Sequence, residues 1–510
     1  MAPISLLVGA FASSCTLIFA SAIAYVFGLC IYRLFFHPLA RYPGPLLAKV
    51  SNFYAAYHAW VGDIHIDMWK CHQKYGEAVR YAPDRLLINT ADALRDAYGH
   101  KSNLPKATAY NALVHRAPNI LTLRDKKQHG RRRRVMSQAL SDATITTFEP
   151  VILEQVKKFV AIFAELPRDG ADEAWSSPIN VCNWCDYLTF DIMASVVFSG
   201  KYDMLGNAQH RPVLDAILAS NVRMGTLFQY PAMGHWKIHK RFFPAAIAAR
   251  SIFVSFVTRM VGDRIKLGKS QTPHDVFSFM AKTKDPETDQ GLTMNELGAE
   301  STTLIVAGAD TTSTVIAATM FYLAKSPQCL QRAQDEVRAA FESESSIHLG
   351  PKLNSCTFLL ACINEAMRLS PSVGAALWRQ VQSAEGLAIG GHFIPRGYDV
   401  GVGIWSLQHS PEHYPDPFEF RPERWLVESP HERSKILAAF SPFSRGPRSC
   451  VGKGIAMVEL LLTFSHLLWS LDFKFSEGQK PLGNFELKEH VTGAKNGPTL
   501  QFRKRQFHGI

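Results

Sequence analysis

A single cysteine lies in a crowded, positively charged loop near the C-terminal end of this 510-residue chain. The loop reads FSRGPRSCVGKG (443–454) and places Cys450 among glycines, close to Arg445 and Arg448. Nearby cations stabilise the thiolate, which is the reactive and metal-binding form of cysteine. A disulfide half, a zinc ligand, a redox thiol and a haem ligand are all compatible with such a loop.

The other cysteines argue against two of these roles. The chain has nine cysteines, an odd number at irregular spacing, unlike the framework of a disulfide-rich secreted protein. No second Cys or His lies within a few residues of Cys450, whereas zinc needs four ligands at close spacing. Gly446 and Gly452 would let the backbone approach a flat ligand. On spacing alone, a buried structural cysteine is still favoured, and Cys182 and Cys185 are interpreted in the same way.

A second unusual stretch lies inside the long apolar helical pattern of residues 294–326. Residues 307–312 read AGADTT, which puts a glycine, an aspartate and two threonines where each costs helix stability relative to alanine. A structural explanation exists, because threonines can bond to the preceding turn and an aspartate can be solvated. A local rule broken inside a strong element nevertheless favours a functional role.

The elements around these motifs are mainly helical. Residues 76–99 predict two short strands with a turn at Pro83-Asp84 and then a helix that begins near Thr90. Further helices are predicted at 143–166, 294–326 and 329–343, and short strands at 386–403. No internal repeat occurs, so one helical catalytic domain with small sheets fits better than the three domains that the length suggests.

The N-terminal segment predicts a membrane anchor. Residues 1–32 carry no charged side chain, and about 20 apolar residues cross a bilayer. A cleaved signal peptide would have a basic start and an apolar core of about 7–15 residues. The basic residues Arg33, Arg41 and Lys49 follow the span, which predicts a cytosolic location for the rest of the chain. We therefore expect an anchor over 1–32, a proline-rich hinge over 33–50 and a catalytic domain over 51–510.

The loop of Cys450 resembles the haem-binding signature of the cytochrome P-450 family, position for position. The matching residues are Phe443, Gly446, Arg448, Cys450 and Gly452. Three further family motifs stand in the expected order: AGADTT (307–312), EAMR (365–368) and FRPERW (420–425). The resemblance covers almost the whole chain and is greatest to fungal microsomal members. It implies the mainly α cytochrome P-450 fold, a large helical domain around haem with small β-sheets and one N-terminal transmembrane helix.

The resemblance also implies roles for individual residues. Cys450 would be the axial ligand of the iron of haem b, and the positions that match the family's propionate contacts are His129 with Arg133, Arg379 and Arg448. His129 stands where tryptophan is common in the wider family. Thr311 would lie over the iron and hydrogen-bond dioxygen, Asp310 would relay protons, and Gly308 would leave room for oxygen and water. The residues Glu365, Arg368 and Arg424 would form a buried structural triad behind the haem.

The function implied is that of an NADPH-dependent haem-thiolate monooxygenase of the endoplasmic reticulum membrane. It would hydroxylate, epoxidise, desaturate or couple a lipophilic small molecule, such as a terpenoid, alkaloid or polyketide intermediate of fungal secondary metabolism. Substrate contacts are expected from residues 104–122, 215–235, 300–307 and 371–378. The alternatives are a haem-thiolate isomerase or dehydratase that needs no reductase, and a non-catalytic haem-binding protein.

A run of basic residues, RDKKQHGRRRR (124–134), contributes to a net charge of +11. Nucleic-acid binding is excluded as its role, because the chain is predicted to be membrane-anchored and the run begins the haem-contacting helix. A solvated basic face is one alternative. The family resemblance places the run on the proximal side near Cys450, where an acidic NADPH-cytochrome reductase would bind. It gives no role to Arg445.

Overall fold

The computed structural model describes residues 2–114, 117–168, 175–237, 239–270, 274–476, 478, 481 and 483–506. Helices make up most of it. In chain order they are α1 (Ala2–Ile31), α2 (Leu46–Val50), α3 (Phe53–Val61), α4 (Ile64–Tyr75), α5 (Ala91–Tyr98), α6 (Lys126–Ala139), α7 (Asp142–Thr147), α8 (Glu149–Ala164), α9 (Cys182–Phe198), α10 (Pro212–Gln229), α11 (His239–Phe242), α12 (Pro244–Ser270), α13 (Val276–Lys282), α14 (Met294–Lys325), α15 (Pro327–Ala340), α16 (Pro351–Asn354), α17 (Thr357–Leu369), α18 (Ile404–Gln408), α19 (Pro430–Ala439) and α20 (Lys453–Ser470). Shorter 3₁₀ turns include Thr108–Leu113, Pro231–Lys237, Pro422–Trp425 and Gly446–Arg448.

The strands form small sheets at the periphery. They are β1 (Ala78–Ala82), β2 (Arg85–Ile88), β3 (Ile179–Asn180), β4 (Arg379–Gln380), β5 (Leu387–Ile389), β6 (His392–Ile394), β7 (Asp399–Gly401), β8 (Leu471–Phe475), β9 (Leu487–Glu489), β10 (Gly493–Lys495) and β11 (Thr499–Lys504). The largest sheet has the order β1-β2-β7-β4, with β2 and β7 parallel and the other pairs antiparallel. The fold class predicted from the sequence is confirmed.

The strand pair and helix predicted at 76–99 are confirmed as β1, β2 and α5. The Thr90 hydroxyl accepts a hydrogen bond from the backbone N–H of Ala93 at 3.1 Å and caps α5. The single helix predicted at 143–166 is wrong, because α7 ends and α8 begins around Phe148. Pro150 explains the break, since proline has no N–H to donate and is well suited to the first turn of a new helix.

The helix α14 runs through the core and carries the AGADTT motif. Thr293 and Glu296 form a capping box at its start, and the segment from Thr312 to Leu323 is buried. Within the described residues, three helices are long and apolar enough to cross a membrane by length and composition: Ser13–Phe36, Pro244–Gly268 and Met294–Lys325. The most apolar window of α14 is 72% buried in the protein, whereas that of Ser13–Phe36 is 0% buried. A core role therefore explains α14, whereas Ser13–Phe36 has an apolar surface that the rest of the described chain does not cover.

The proline-rich segment after α1 is docked on β1. The Arg80 side chain is fully buried and donates to the carbonyl of Arg33 at 2.6 Å. The Arg80 backbone N–H donates to the carbonyl of Pro43 at 2.8 Å, and Leu39 is fully buried. A Cβ at Gly44 would overlap the Arg80 carbonyl oxygen, so glycine allows this close approach.

Candidate active site

A cavity of about 280 Å³ lies between α14 and the loop that precedes α20. Its walls are largely apolar and come from widely separated segments, among them Ile120, Leu121, Val196, Val197, Leu304, Val315, Val373, Leu377 and Ile404. Cys450 and Phe443 line the cavity from the loop, and Thr311 lines it from α14. Two of the sequence motifs, more than a hundred residues apart, thus meet at one apolar space.

Backbone hydrogen bonds hold the loop of Cys450 in a tight turn. The Cys450 N–H donates to the Phe443 carbonyl at 2.8 Å, and the Ser449 N–H donates to the Gly446 carbonyl at 3.0 Å. Gly446 has φ +67°, and a Cβ there would overlap the backbone carbonyl of Tyr98 at the end of α5. The glycine in this position is therefore required by the packing of the loop against α5.

Nearby positive charge and burial have opposite effects on the pKa of the Cys450 thiol. Burial raises the pKa of Cys450, while the backbone N–H of Gly452 and the cations Arg133 and Lys453 lower it. The side chain is accessible, because it opens into the cavity. A Cβ at Gly452 would lie 3.9 Å from the Cys450 sulfur, which is ordinary contact. All nine cysteines of the chain are free, so the disulfide interpretation does not hold.

Five basic side chains gather beside the cavity. Four of them line the cavity, namely Lys106, His129, Arg133 and Arg448. Arg379 lines an adjoining groove, which His129, Arg133 and Arg448 also line. Among the described residues, no carboxylate lies within ion-pair distance of these five. They bond to neutral groups instead: Lys106 to the Leu121 carbonyl at 2.6 Å, Arg448 to the Leu123 carbonyl at 2.7 Å, and Arg379 to the Leu377 carbonyl at 3.1 Å.

Burial and mutual repulsion lower the pKa values of basic side chains in this cluster. Burial lowers the pKa of Lys106 well below its usual range, and the nearby Arg379 and Arg448 lower it further. Burial and Arg448 lower the pKa of His129 to about 3, so its imidazole is neutral at physiological pH. Burial and Arg379 lower the pKa of Arg448 to about 10. Buried cations without anions are costly, which indicates that an anionic ligand belongs here.

These features fit haem. A flat apolar ring with two carboxylates matches an apolar cavity whose basic side chains lack carboxylate partners, and the accessible Cys450 thiol would supply an iron ligand. The sequence motifs included four of the five basic side chains and missed Lys106. A lone lysine in a loop carries no spacing signal, and long-range contacts such as the β-bridge between Lys106 and Arg379 bring it to the cluster.

Thr311 and Gly308 occupy the cavity side of α14 in different ways. The Thr311 hydroxyl donates to the Ala307 carbonyl at 2.7 Å, and the Ser372 hydroxyl donates to the Thr311 carbonyl at 2.8 Å. A Cβ at Gly308 would lie 2.7 Å from the terminal methyl of Met193 on α9. In this structure, the missing side chain of Gly308 makes space for Met193.

Asp310 does not line the apolar cavity and instead faces a second, polar cavity of about 190 Å³. Its carboxylate accepts hydrogen bonds from Asn221 at 3.0 Å and from the Thr492 hydroxyl. Lys495 lines the same polar cavity and pairs with Asp186 at 2.6 Å. Burial raises the pKa of Asp310, and Lys495 and Thr492 lower it. Asp310 and Thr311 thus connect a polar cavity and an apolar cavity through adjacent residues.

The sequence analysis also missed Glu459 of α20, which lines the apolar cavity. The side chain is buried, and neither carboxylate oxygen has a hydrogen-bond partner within the described ranges. Burial raises the pKa of Glu459 well above its usual range, which favours the protonated form over the carboxylate. A glutamate nine residues beyond Cys450 has no visible sign of burial in the sequence except the apolar residues around it.

The three residues of the expected triad lie together and are buried. Arg368 donates two hydrogen bonds to the Glu365 carboxylate, both at 2.9 Å, and Arg424 donates a third at 2.9 Å. Trp425 adds a fourth donor at 3.0 Å. The role that the family left open for Arg445 is also structural, because its guanidinium bonds to the Leu437 carbonyl and, at 3.1 Å, to the Phe440 carbonyl.

The alternative of a solvated basic face does not hold for three of the four consecutive arginines of the basic run. Arg131 pairs with Glu296 at 2.6 Å, Arg132 pairs with Glu300 at 2.8 Å, and Arg134 pairs with Asp285. The reason is that α6 packs beside the acidic first turns of α14 and the loop before it. The exposed cations of the run are Lys126 and Lys127.

Comparison with known proteins agrees with these features. The sequence profile described as cytochrome P-450 matches residues 45–500. The cytochrome P-450 monooxygenase poxM of Penicillium oxalicum is 48% identical over 504 residues, 99% of this chain and 96% of the relative. The cytochrome P-450 monooxygenase atnE of Emericella nidulans is 44% identical over 487 residues, 93% and 94% of the two chains. The cytochrome P-450 monooxygenase AKT7 of Alternaria alternata is 42% identical over 514 residues, which cover 96% of this chain and 98% of the relative.

Proposed function

Because this chain belongs to the cytochrome P-450 family and is a monooxygenase, we propose that it oxidises a lipophilic intermediate of fungal secondary metabolism with electrons from NADPH. The electrons would arrive through a membrane-bound reductase. The observation that carries the proposal is the accessible Cys450 thiol in an apolar cavity beside five basic side chains that have no carboxylate partner among the described residues.

We assign the haem-binding role to the loop of Cys450 and to the cation cluster. Cys450 would bind the haem iron, with Phe443 beside it in the cavity wall. The basic side chains Lys106, His129, Arg133, Arg379 and Arg448 would bind the propionates, His129 as a neutral hydrogen-bond donor. When bound, haem supplies the redox chemistry that activates dioxygen, which a thiolate ligand favours.

Asp310 and Thr311 are the residues that we assign to proton delivery. Asp310 exchanges protons with the polar cavity, since its raised pKa lets it hold a proton near neutral pH more often than an exposed aspartate does. Thr311 uses its hydroxyl hydrogen on Ala307, so its oxygen lone pairs can accept a hydrogen bond from the cavity side. Proton transfer through positioned groups of this kind contributes about 10²–10⁴-fold to rates.

The apolar walls would bind and orient the substrate and exclude water from it. Three of the four expected contact regions line the cavity, through Ile120 and Leu121, through Thr303 and Leu304, and through Val373 and Leu377. The fourth region, 215–235, contributes no lining residue there within the described residues. A lipophilic substrate suits such walls, because burial of apolar surface is favourable at about 25 cal/mol per Å².

We propose an endoplasmic reticulum location, with a single anchor over 1–32, a hinge over 33–50 and a cytosolic catalytic domain over 51–510. The exposed apolar surface of Ser13–Phe36 supports the anchor. The cations Arg33, Arg41 and Lys49 that follow it support the cytosolic side.

The test is a carbon monoxide difference spectrum of the full-length protein, followed by turnover with a fungal NADPH-cytochrome reductase. The wild type should give the thiolate-type spectrum, and Cys450→Ala should lose it. Candidate intermediates should be converted only when NADPH and reductase are both present. Mass spectrometry of the product should then show either one added oxygen atom or the loss of two hydrogen atoms. Conversion without reductase would favour an isomerase or dehydratase, and persistence of the thiolate-type spectrum in Cys450→Ala would contradict the proposal.

A further inference from the structure

A separate cavity of about 590 Å³ lies where α10 meets α12 and the turns Thr108–Leu113 and Pro231–Lys237. The buried side chain of Arg223 lines it from α10 and is only 5% exposed. Arg250 of α12 and His239 of α11 line the same cavity. Three basic side chains thus converge on a space that the assigned chemistry does not use.

The Arg223 guanidinium lacks a matched partner. Its Nε is buried and has no hydrogen-bond partner, and Nη2 contacts only the Met224 thioether at 3.4 Å, counting the described residues. No carboxylate among those residues forms an ion pair with Arg223, Arg250 or His239. Burial and the neighbouring Arg250 lower the pKa of Arg223, but an arginine remains charged at neutral pH.

Other buried arginines of the described chain behave differently. Arg264 pairs with Asp275 at 2.7 Å, and Arg368 pairs with Glu365 at 2.9 Å. Arg80 is saturated by the carbonyls of Pro83 and Arg33. Like the basic side chains assigned to the haem propionates, Arg223 has no carboxylate partner among the described residues, and its Nε also lacks the carbonyl acceptors that Arg80 has. That parallel indicates an anionic ligand in this second cavity as well.

One described stretch of the chain lines both cavities. Residues 104–114 contribute Lys106 to the apolar cavity and Thr108 and Asn111 to this one. The remaining lining is apolar and includes Val114, Leu227 and Pro231. A ligand whose anionic group is held here would have to extend along that stretch to place its apolar body in the cavity of Cys450.

We propose that Arg223, supported by Arg250 and His239, binds the carboxylate of an apolar carboxylic acid and so selects acids over their neutral counterparts. The inference rests on the proposed function, since the bound acid is the substrate to be oxidised. The planar guanidinium fork matches a carboxylate through two parallel hydrogen bonds. Thr108 and Asn111 can add neutral donors at the same site.

The test compares dodecanoic acid with methyl dodecanoate, which differs only by masking the carboxylate. The full-length, haem-loaded protein is placed in nanodiscs of uncharged phosphatidylcholine, and dissociation constants are measured by calorimetry. The wild type should bind the acid about 10- to 100-fold more tightly than the ester, the range for a hydrogen bond to a charged group. Arg223→Met should abolish that preference while it retains ester binding, which shows that the variant is folded.

Two further variants sharpen the comparison. Arg223→Lys keeps the charge but loses the fork, so part of the acid preference should remain. Arg259→Gln removes an equal charge from an exposed position of α12 outside the cavity and should leave the preference unchanged.

Equal binding of acid and ester by the wild type would overturn the inference. A second result would also overturn it. If acid and ester bind alike, and phosphatidylglycerol in the nanodiscs changes ligand binding in the wild type but not in Arg223→Met, then the site holds a lipid headgroup. Loss of the thiolate-type carbon monoxide spectrum contradicts the proposed function, whereas equal binding in a preparation that has that spectrum contradicts only the carboxylate site.

Discussion

The Arg133 guanidinium donates to both the carbonyl and the hydroxyl of Ser449, the residue that precedes Cys450. One side chain of α6 therefore fixes the loop that carries the thiol and also places a positive charge near the sulfur. Arg133 is among the groups that lower the pKa of Cys450 against the effect of burial. The helix and the thiol loop, over three hundred residues apart, work as one unit.

We expect Arg133→Gln to raise the pKa of Cys450 further. A larger share of the protein should then give the thiol-type carbon monoxide spectrum, and that share should fall as pH rises, because the thiolate forms at higher pH. Arg134→Gln is the control, since Arg134 pairs with Asp285 and not with the loop. Identical spectra and pH dependence in Arg133→Gln and wild type would contradict this coupling.

Glu365 should be essential for stability. Glu365→Gln leaves Arg368 and Arg424 buried without a matching charge, at a cost of about 3–5 kcal/mol in the free energy of unfolding. Urea denaturation followed by tryptophan fluorescence measures this. The exposed pair of Glu423 and Arg332 is the matched control, and Glu423→Gln should cost less than about 1 kcal/mol. Similar losses in the two variants would argue against a structural triad.

Thr492 should set the proton affinity of Asp310. Its hydroxyl donates to the Asp310 carboxylate and lowers the pKa of that group. Thr492→Val removes the donor, so the limb of the pH–rate profile that reports Asp310 should move to higher pH. Thr146→Val changes an exposed threonine on α7 and should leave the profile in place. A limb that does not move would separate Asp310 from the rate-determining proton transfer.

Glu489 should make stability pH-dependent. Burial raises the pKa of Glu489 to about 7, although its carboxylate accepts hydrogen bonds from the Gly374 and Ala375 N–H groups. The folded state therefore binds more protons than the unfolded state between about pH 4.5 and 7. Stability contributed by this group is present at low pH and is lost as pH rises through about 7, by roughly 3 kcal/mol.

The variant Glu489→Gln tests whether Glu489 makes the protein less stable as pH rises. The amide oxygen can still accept from Gly374 and Ala375, so the variant should keep the segment 371–378 in place. Its urea midpoint should change less than that of wild type between about pH 5 and pH 8. Glu486→Gln alters an exposed neighbour and should retain the wild-type slope. A pH dependence equal to that of wild type would contradict the raised pKa of Glu489.

Electron delivery should depend on salt through lysines and not through the arginine run. Reduction by the reductase should slow as ionic strength rises, because an acidic partner is attracted to the exposed Lys126 and Lys127. The double change Lys126→Gln with Lys127→Gln should weaken that salt dependence. Arg131→Gln should instead lower stability, since Arg131 pairs with Glu296. A rate of reduction that does not vary with salt would exclude an electrostatic docking surface.

Local signals in the sequence located several elements correctly. Thr90 marks the start of α5, the helical pattern of residues 294–326 locates α14, and the turn at Pro83-Asp84 separates β1 from β2. These features depend on neighbours within a few residues, which is the range that propensity and capping rules cover. Pro150 carried the same kind of signal, and the continuous helix predicted across it is incorrect.

Side chains brought together over long distances were harder to predict. Lys106, Arg223 and Glu459 are single charged residues without motif spacing, and a charged residue is expected to be exposed. Their burial depends on the packing of α10, α14 and α20 around two cavities, which no local pattern encodes. For the same reason, the sequence alone does not show that the arginines of the basic run pair with Glu296, Glu300 and Asp285.

The docking of the proline-rich segment on β1 bears on the preparation of a soluble enzyme. Truncation of the anchor is a common route to such a form, and the choice of the cut matters here. A cut beyond residue 33 deletes the carbonyl that the buried Arg80 guanidinium binds, and a cut beyond residue 43 also deletes the acceptor of the Arg80 N–H. A shortened protein should begin before Arg33, so that only the exposed apolar helix is removed.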